Sequence, residues 1–125
     1  MKQFSKEWKS SKKARKQKKY RLKAPLHIKQ KFVHSHLSKE MKSKYKKRSI
    51  SVRKGDKVKI MRGKFKKHEG KIERVDLKKT LIFVEGIETA KKDGTKKSVA
   101  VHPSNLMITE LNLDDKFRQK LLGRK

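Results

Sequence analysis

Cysteine is absent from these 125 residues. That excludes disulfides, thiolate zinc sets and thiol nucleophiles. Apolar residues make up only 32% of the chain, against about 45–50% in typical globular domains. No apolar run approaches the roughly 18 residues of a membrane span, so no membrane partner is expected. The opening, MKQFSKEWKSSKK, has no apolar h-region, and no secretory signal is expected either. Acidic residues are scarce, 12 against 40 Lys plus Arg, giving a formal net charge of +28. No Gly-rich nucleotide loop and no nucleophile elbow occurs. The closest carboxylates, Asp114-Asp115 and Glu85 with Glu88, fit helix capping and strand solvation better than acid–base work, which needs a cleft and a shifted pKa. No enzyme, small-molecule substrate or cofactor is therefore expected. What the chain has is cationic charge, and its expected partner is a nucleic acid.

That charge is uneven. Residues 1–48 have a net charge of +17 and residues 49–125 one of +11. The first segment repeats short basic runs and shows no strand-like alternation, so alone it cannot bury enough apolar surface to offset its ordering entropy. Two helices are expected in it. One is capped by Ser11, runs to about Arg21 and is stopped by Pro25. The other is capped by Ser38 and runs to about Lys47, with Leu37, Met41 and Tyr45 on a face that docks on the folded domain. The expected organisation is a basic extension over 1–48, a folded domain over 49–111, and a C-terminal helix and tail over 112–125.

The second segment reads as strands and tight turns. Lys57–Arg62 alternates polar and apolar residues, as does Lys71–Asp76. Thr80–Glu85 is a more continuous apolar run, hence a central strand, with a bend or bulge at Gly86. Asp93-Gly94 predicts a type I′ hairpin turn leading to a strand over Ser98–Val101. His102-Pro103-Ser104-Asn105 breaks that strand, and Leu106–Thr109 is the last. About five short strands in about 60 residues, without cysteine, predict a mainly β fold and a small closed barrel, closure removing the exposed edges. At the C-terminus Asn112 is the expected N-cap, Asp114 and Asp115 lie in the first turn, and Leu113, Phe117 and Leu121 line one face.

The stretch Val52-Arg53-Lys54-Gly55-Asp56-Lys57-Val58-Lys59-Ile60-Met61-Arg62-Gly63, followed by Lys67-His68-Glu69-Gly70-Lys71-Ile72, closely resembles a KOW motif. KOW motifs pair two strands around a glycine-containing basic loop in SH3-like barrels, and transcription elongation factors carry them too. Ala24-Pro25-Leu26-His27-Ile28 and His36-Leu37-Ser38-Lys39-Glu40 before the motif, with His102-Pro103-Ser104-Asn105-Leu106 after it, resemble the large-subunit ribosomal proteins numbered twenty-four in archaea and twenty-six in eukaryotes. The resemblance covers nearly the whole chain. It implies an SH3-like barrel and a structural protein, cytoplasmic and ribosome-bound. Such a protein binds the 5′ region of large-subunit rRNA early in assembly, near the peptide exit, among neighbouring large-subunit proteins. It also implies that His27, His36 and His102 belong to ordered turns or RNA contacts. An elongation module is the alternative, although such proteins usually carry a further polymerase-binding domain.

The expected RNA contacts follow the charge. On the extension they are Lys12, Lys13, Arg15, Lys16, Lys18, Lys19, Arg21, Lys46, Lys47 and Arg48, with His27. Extended, 48 residues reach about 150 Å at roughly 3.3 Å each. Trp8, Tyr20 and Tyr45 are available to stack on bases or to pack on the barrel. In the KOW loop the contacts are Arg62, Lys64, Lys66, Lys67 and His68, with Lys71 beyond it. Lys91, Lys92, Lys96 and Lys97 form a second basic tip around the hairpin turn. Phe65 has two roles open to it, stacking on a base or plugging the barrel. Gly55 and Gly63 sit where turns need positive φ, and two roles are open to Gly70: lacking a Cβ it lets a phosphate or ribose approach the backbone, or, like the other two, it serves turn geometry alone. Of the five histidines only His34-x-His36 is a tight pair, and without cysteine or a carboxylate set no metal site is expected.

Overall fold

A computed structural model describes residues 4, 5 and 10–124. Its elements are α1 (Ala14–Lys23), α2 (Leu26–Phe32), β1 (His34–Leu37), α3 (Lys39–Tyr45), β2 (Ser49–Ser51), β3 (Lys57–Ile60), β4 (Glu69–Asp76), β5 (Leu81–Ala90), β6 (Lys96–Val101), a 3-10 turn (Pro103–Asn105), β7 (Leu106–Glu110) and α4 (Lys116–Gly123). The seven strands form one sheet in the order β2-β1-β7-β3-β4-β5-β6. All neighbours are antiparallel except β1 and β7. β2 and β6 are its two edges, so strand pairing does not close the sheet into the edgeless ring expected from the sequence.

One apolar core lies on the inner face. Val58, Ile60, Ile82, Val84, Ile87, Leu106 and Ile108 are all buried within it. Alternation explains most of this: along β3 the lysines face out while Val58 and Ile60 face in. β4 departs from the expected alternation. Its pairing with β5 shifts register between Ile72 and Arg74, and Ile72, in the core, and Val75, packed against it, stand three apart. Gly86 behaves as expected, with φ +78 and a register shift between Phe83 and Glu88.

Further expectations are corrected. The first segment is not free of strands: β1 pairs with β7 and β2. Its sequence, His34-Ser35-His36-Leu37, hides the pattern because one of its two inward residues is a serine, whose buried hydroxyl donates to Pro103 O at 2.8 Å. The hairpin turn is not type I′. Type I′ needs positive φ at both central residues, and here Asp93 is not left-handed, while Gly94 has φ +77. Gly94 N donates to Lys91 O and Lys91 N to Thr95 O, a three-residue loop with glycine in the left-handed position. The C-terminal helix starts later than expected: Asp115 caps α4, accepting from Phe117 N at 2.8 Å. Phe117 is exposed and the buried face is Arg118 with Leu122.

The reason for that inversion is charge. Asp56 and Arg118 are both buried. Asp56 Oδ1 accepts from Arg118 Nη1 at 2.5 Å and Oδ2 from Arg118 Nη2 at 2.7 Å, a two-pronged pair. Asp56 also accepts from Arg53 N and Asn112 N, and Arg118 donates to Asn112 O and Ser51 O. Burying a carboxylate of this kind requires such complete pairing, so Arg118 turns inward and Phe117 outward.

The helices of the basic segment follow their local signals. α1 ends at Ala24 before Pro25 as expected, but it begins at Ala14 with no side-chain cap. Ser11 Oγ accepts only from Lys13 N. Ser38 caps α3 through Met41 N, and Met41 and Tyr45 pack against the core. No helix among the described residues is long and apolar enough to cross a membrane.

Candidate nucleic-acid interface

α1 carries Arg15, Lys16, Lys18, Lys19 and Arg21 with no acid in its first turn and no buried side chain. All five are exposed, as are Lys12 and Lys13 before it. Among the described residues every ion pair lies between residues 53 and 118, so the helix's cations are matched by no carboxylate. Like charges at i,i+3 and i,i+4, such as Arg15 with Lys18 and Lys19, cost about 0.2–0.5 kcal/mol each in an isolated helix. An external polyanion would relieve all of them together. Tyr20 anchors the helix rather than standing free: its ring lies 4.7 Å from Phe4 and 6.1 Å from Phe32. Trp8 lies outside the described residues.

The KOW loop is held tightly. Lys67 N donates to Ile60 O and Ile60 N to His68 O, while Met61 N bonds Asn105 O. Arg62, Lys64, Lys66 and Lys67 are exposed. Phe65 packs against the core and Lys64 Nζ lies 5.9 Å from its ring centre, which favours the plug over the stacking role. Arg62, Lys64 and Phe65 share a cleft of about 390 Å³ with Thr89, Val99 and His102, so the loop leans on the β5–β6 ribbon. Beyond that cleft Lys91, Lys92, Lys96 and Lys97 stand exposed at the ribbon tip, where among the described residues only Lys96 pairs with a carboxylate, Glu88 at 3.8 Å. Lys71, on β4, is also exposed.

Several nominated residues have internal duties. His68 Nε2 lies 3.1 Å from Glu85 O, and as donor to that carbonyl it carries the proton there. Lys47 Nζ donates to Leu121 O, tying α3 to α4. His102 Nδ1 contacts Ser104 Oγ at 2.8 Å and accepts from Ser104 N, capping the 3-10 turn. His36 lies in β1, His27 is exposed on α2, and Arg48 and Lys46 are exposed, Lys46 in the left-handed position that ends α3. Gly55 and Gly63 have φ of +88 and +95 and sit at turns. Gly70 instead lies inside β4, where a Cβ would stand 2.8 Å from Glu85 O and 3.0 Å from Val84 Cγ1. The space it leaves is filled by the neighbouring strand, not held open for a phosphate.

Two titrations are shifted. Partial burial of the imidazole lowers the His34 pKa below 6.5. The hydrogen bond from Lys59 at 2.8 Å, with its charge, lowers the Glu69 pKa below 4.5. The sequence reading missed Arg53, Arg74 and Lys54. The first two point along structure-specific directions: Arg53 to Asp115, Arg74 to the ring of Phe83 at 4.2 Å. No periodicity announces either.

The model of one family, the eukaryotic ribosomal proteins L26 and their archaeal counterparts, matches residues 11–125. A large ribosomal subunit protein uL24 from Methanothrix thermoacetophila is 50% identical over 114 residues, covering 91% of this chain and 98% of the relative. One of the same name from Methanosphaera stadtmanae is 47% identical over 115 residues, covering 92% and 98%. With the basic arm, the braced loop and the matched span taken together, the chain belongs to this family of ribosomal proteins, shared by eukaryotes and archaea.

Proposed function

We propose that the chain is a structural constituent of the large ribosomal subunit that binds its rRNA, and that it is not an enzyme. The observation that carries the RNA contact is α1: six Lys and Arg in ten residues, no buried side chain, and no ion pair to a carboxylate among the described residues. Such a helix has no intramolecular reason to be basic. In this reading residues 1–48 are the RNA-binding extension, with β1 and α3 seating its end in the sheet. Residues 49–111 are an SH3-like folded part, its sheet open at β2 and β6, that presents the KOW loop and the ribbon tip. Residues 112–125 clamp the barrel through Arg118. The cations neutralise phosphates where RNA helices crowd together. Specificity comes from RNA shape, because the major groove of an A-form helix is too narrow for side chains. Neighbouring large-subunit proteins, an early place in assembly, a position near the peptide exit and a ribosome-bound cytoplasmic location are the parts of this reading supported by family membership.

The test is a salt titration of the full chain on large-subunit rRNA, with co-sedimentation on large subunits. Neutralising six to ten phosphates lowers affinity by about 10³–10⁵ between 50 and 200 mM salt. Deleting residues 1–23 should flatten that slope. Affinity independent of salt, or recovery only in the free soluble pool, would overturn the proposal.

A further inference from the structure

The bulge in β4 has a consequence for one arginine. Strict alternation from the buried Ile72 would send Glu73 outward and Arg74 into the core. The register shift between Ile72 and Arg74 inserts one residue, so Val75 takes the inward place and Glu73 and Arg74 are both exposed. On the adjacent strand Ile82 and Val84 are buried, which puts Phe83 on the outer face between them. Arg74 is the register partner of Phe83, and its guanidinium carbon lies 4.2 Å from the ring centre. On the other side Phe83 faces Ala100, whose methyl group covers little of it.

Arg74 makes no ion pair and no side-chain hydrogen bond among the described residues, although Glu73 is its chain neighbour. A guanidinium is planar, and Arg74 remains exposed although its guanidinium carbon rests 4.2 Å from the Phe83 ring centre. Arg74 and Glu73 line a groove of about 740 Å³ with Lys54, which is exposed and also without a carboxylate partner. The charge of Glu73, which is exposed and lines the same groove, disfavours a phosphate at Arg74 and leaves a neutral plane as the better occupant. Lys54 offers the phosphate site one step along.

We infer that Arg74 on Phe83 is a stacking platform for an unpaired nucleobase, with the phosphate of the adjoining nucleotide held by Lys54. This deepens the RNA-binding reading and rests on it. That reading needs only charge and helix shape; the platform requires a base out of its helix, which is where RNA bases become accessible to side chains.

The experiment compares the full chain with Arg74→Lys and Phe83→Leu on two RNAs of one sequence, a single strand of about 12 nucleotides carrying 2-aminopurine and the matching duplex. Arg74→Lys keeps the charge and removes the plane; Phe83→Leu keeps an apolar residue and removes the ring. Each should weaken single-strand binding about five-fold or more and reduce fluorescence quenching. Duplex binding should stay within about two-fold and the salt slope of Arg74→Lys should be unchanged. Urea midpoints confirm that both variants fold. Equal losses on both RNAs would reduce Arg74 to a phosphate contact and overturn the platform. Unchanged binding to both would overturn it in favour of a protein-facing surface. A wild-type chain that binds neither RNA would instead overturn the RNA reading itself, which the rRNA salt titration examines separately.

Discussion

Breaking the Asp56–Arg118 pair should do more damage than any other single polar change in the folded part. Both side chains are buried, at 0% and 2% exposure, and the pair joins the turn before β3 to α4 across 62 positions of sequence. Asp56→Asn leaves the guanidinium buried with only Asn112 O and Ser51 O to face. Arg118→Met leaves the carboxylate with only the Arg53 and Asn112 amides. Removing one member of a buried pair costs about 3–5 kcal/mol, a large share of the roughly 5–15 kcal/mol that stabilises a domain. The pair itself is close to break-even, because Arg118 Nε is buried without a partner. The double variant should therefore cost less than the sum of the singles by about 3 kcal/mol or more, since no lone charge remains. Urea unfolding followed by circular dichroism, with the slope checked for two-state behaviour, measures all three. Repeating it at high salt should change little, because a buried pair is poorly screened. Single variants within about 1 kcal/mol of wild type, or a double variant equal to their sum, would refute the reasoning.

Gly70→Ala should destabilise by about 1–3 kcal/mol, since its Cβ meets backbone at Glu85 O, whereas Gly123→Ala, which meets nothing, should be near neutral in the same urea assay. Acid should weaken the fold at two places, each visible in stability against pH. The Glu69 carboxyl titrates below 4.5 when folded, so its contribution is present above 4.5 and is lost as pH falls through the folded value; Lys59→Met should remove that component. The His34 imidazole titrates below 6.5 when folded, so the unfolded chain binds more protons in the window beneath 6.5 and stability falls as pH drops through it; His34→Gln should flatten that slope.

The sequence was legible where pattern and chemistry agree. β3, β5, β6 and β7 were read from alternation and apolar runs, and Ser38 and Pro25 marked helix ends by their own chemistry. It was illegible where long-range contacts decide. β1 is a strand because β7 and β2 lie beside it, not because His34-Ser35-His36-Leu37 looks like one. α2 follows directly on Pro25 and has no side-chain cap to announce it. Phe117 lost its inward place to Arg118 because Asp56, far away in sequence, demanded a cation. The nominated lysines were found from composition alone, and composition does not reveal which are already occupied. Lys47 is used on Leu121 O, whereas the cations of α1 make no ion pair among the described residues.

That contrast assigns roles to the two signs of charge. The few acids of the folded part mostly serve the fold itself: Asp56 and Asp115 fasten α4, Glu69 and Glu110 pair across β3, and Asp76 closes the turn before β5 through Lys79 N. Between Glu7 and Glu40 the chain has no acid. A fold that needed α1 for its own stability would have placed a carboxylate or an apolar stripe on it. Neither is there, so in the proposed reading the RNA supplies the free energy that orders the arm beyond the contacts of Tyr20 with Phe4 and Phe32. The anchoring end of the arm, where β1 enters the sheet and α3 docks by Met41 and Tyr45, fixes where that free energy is delivered.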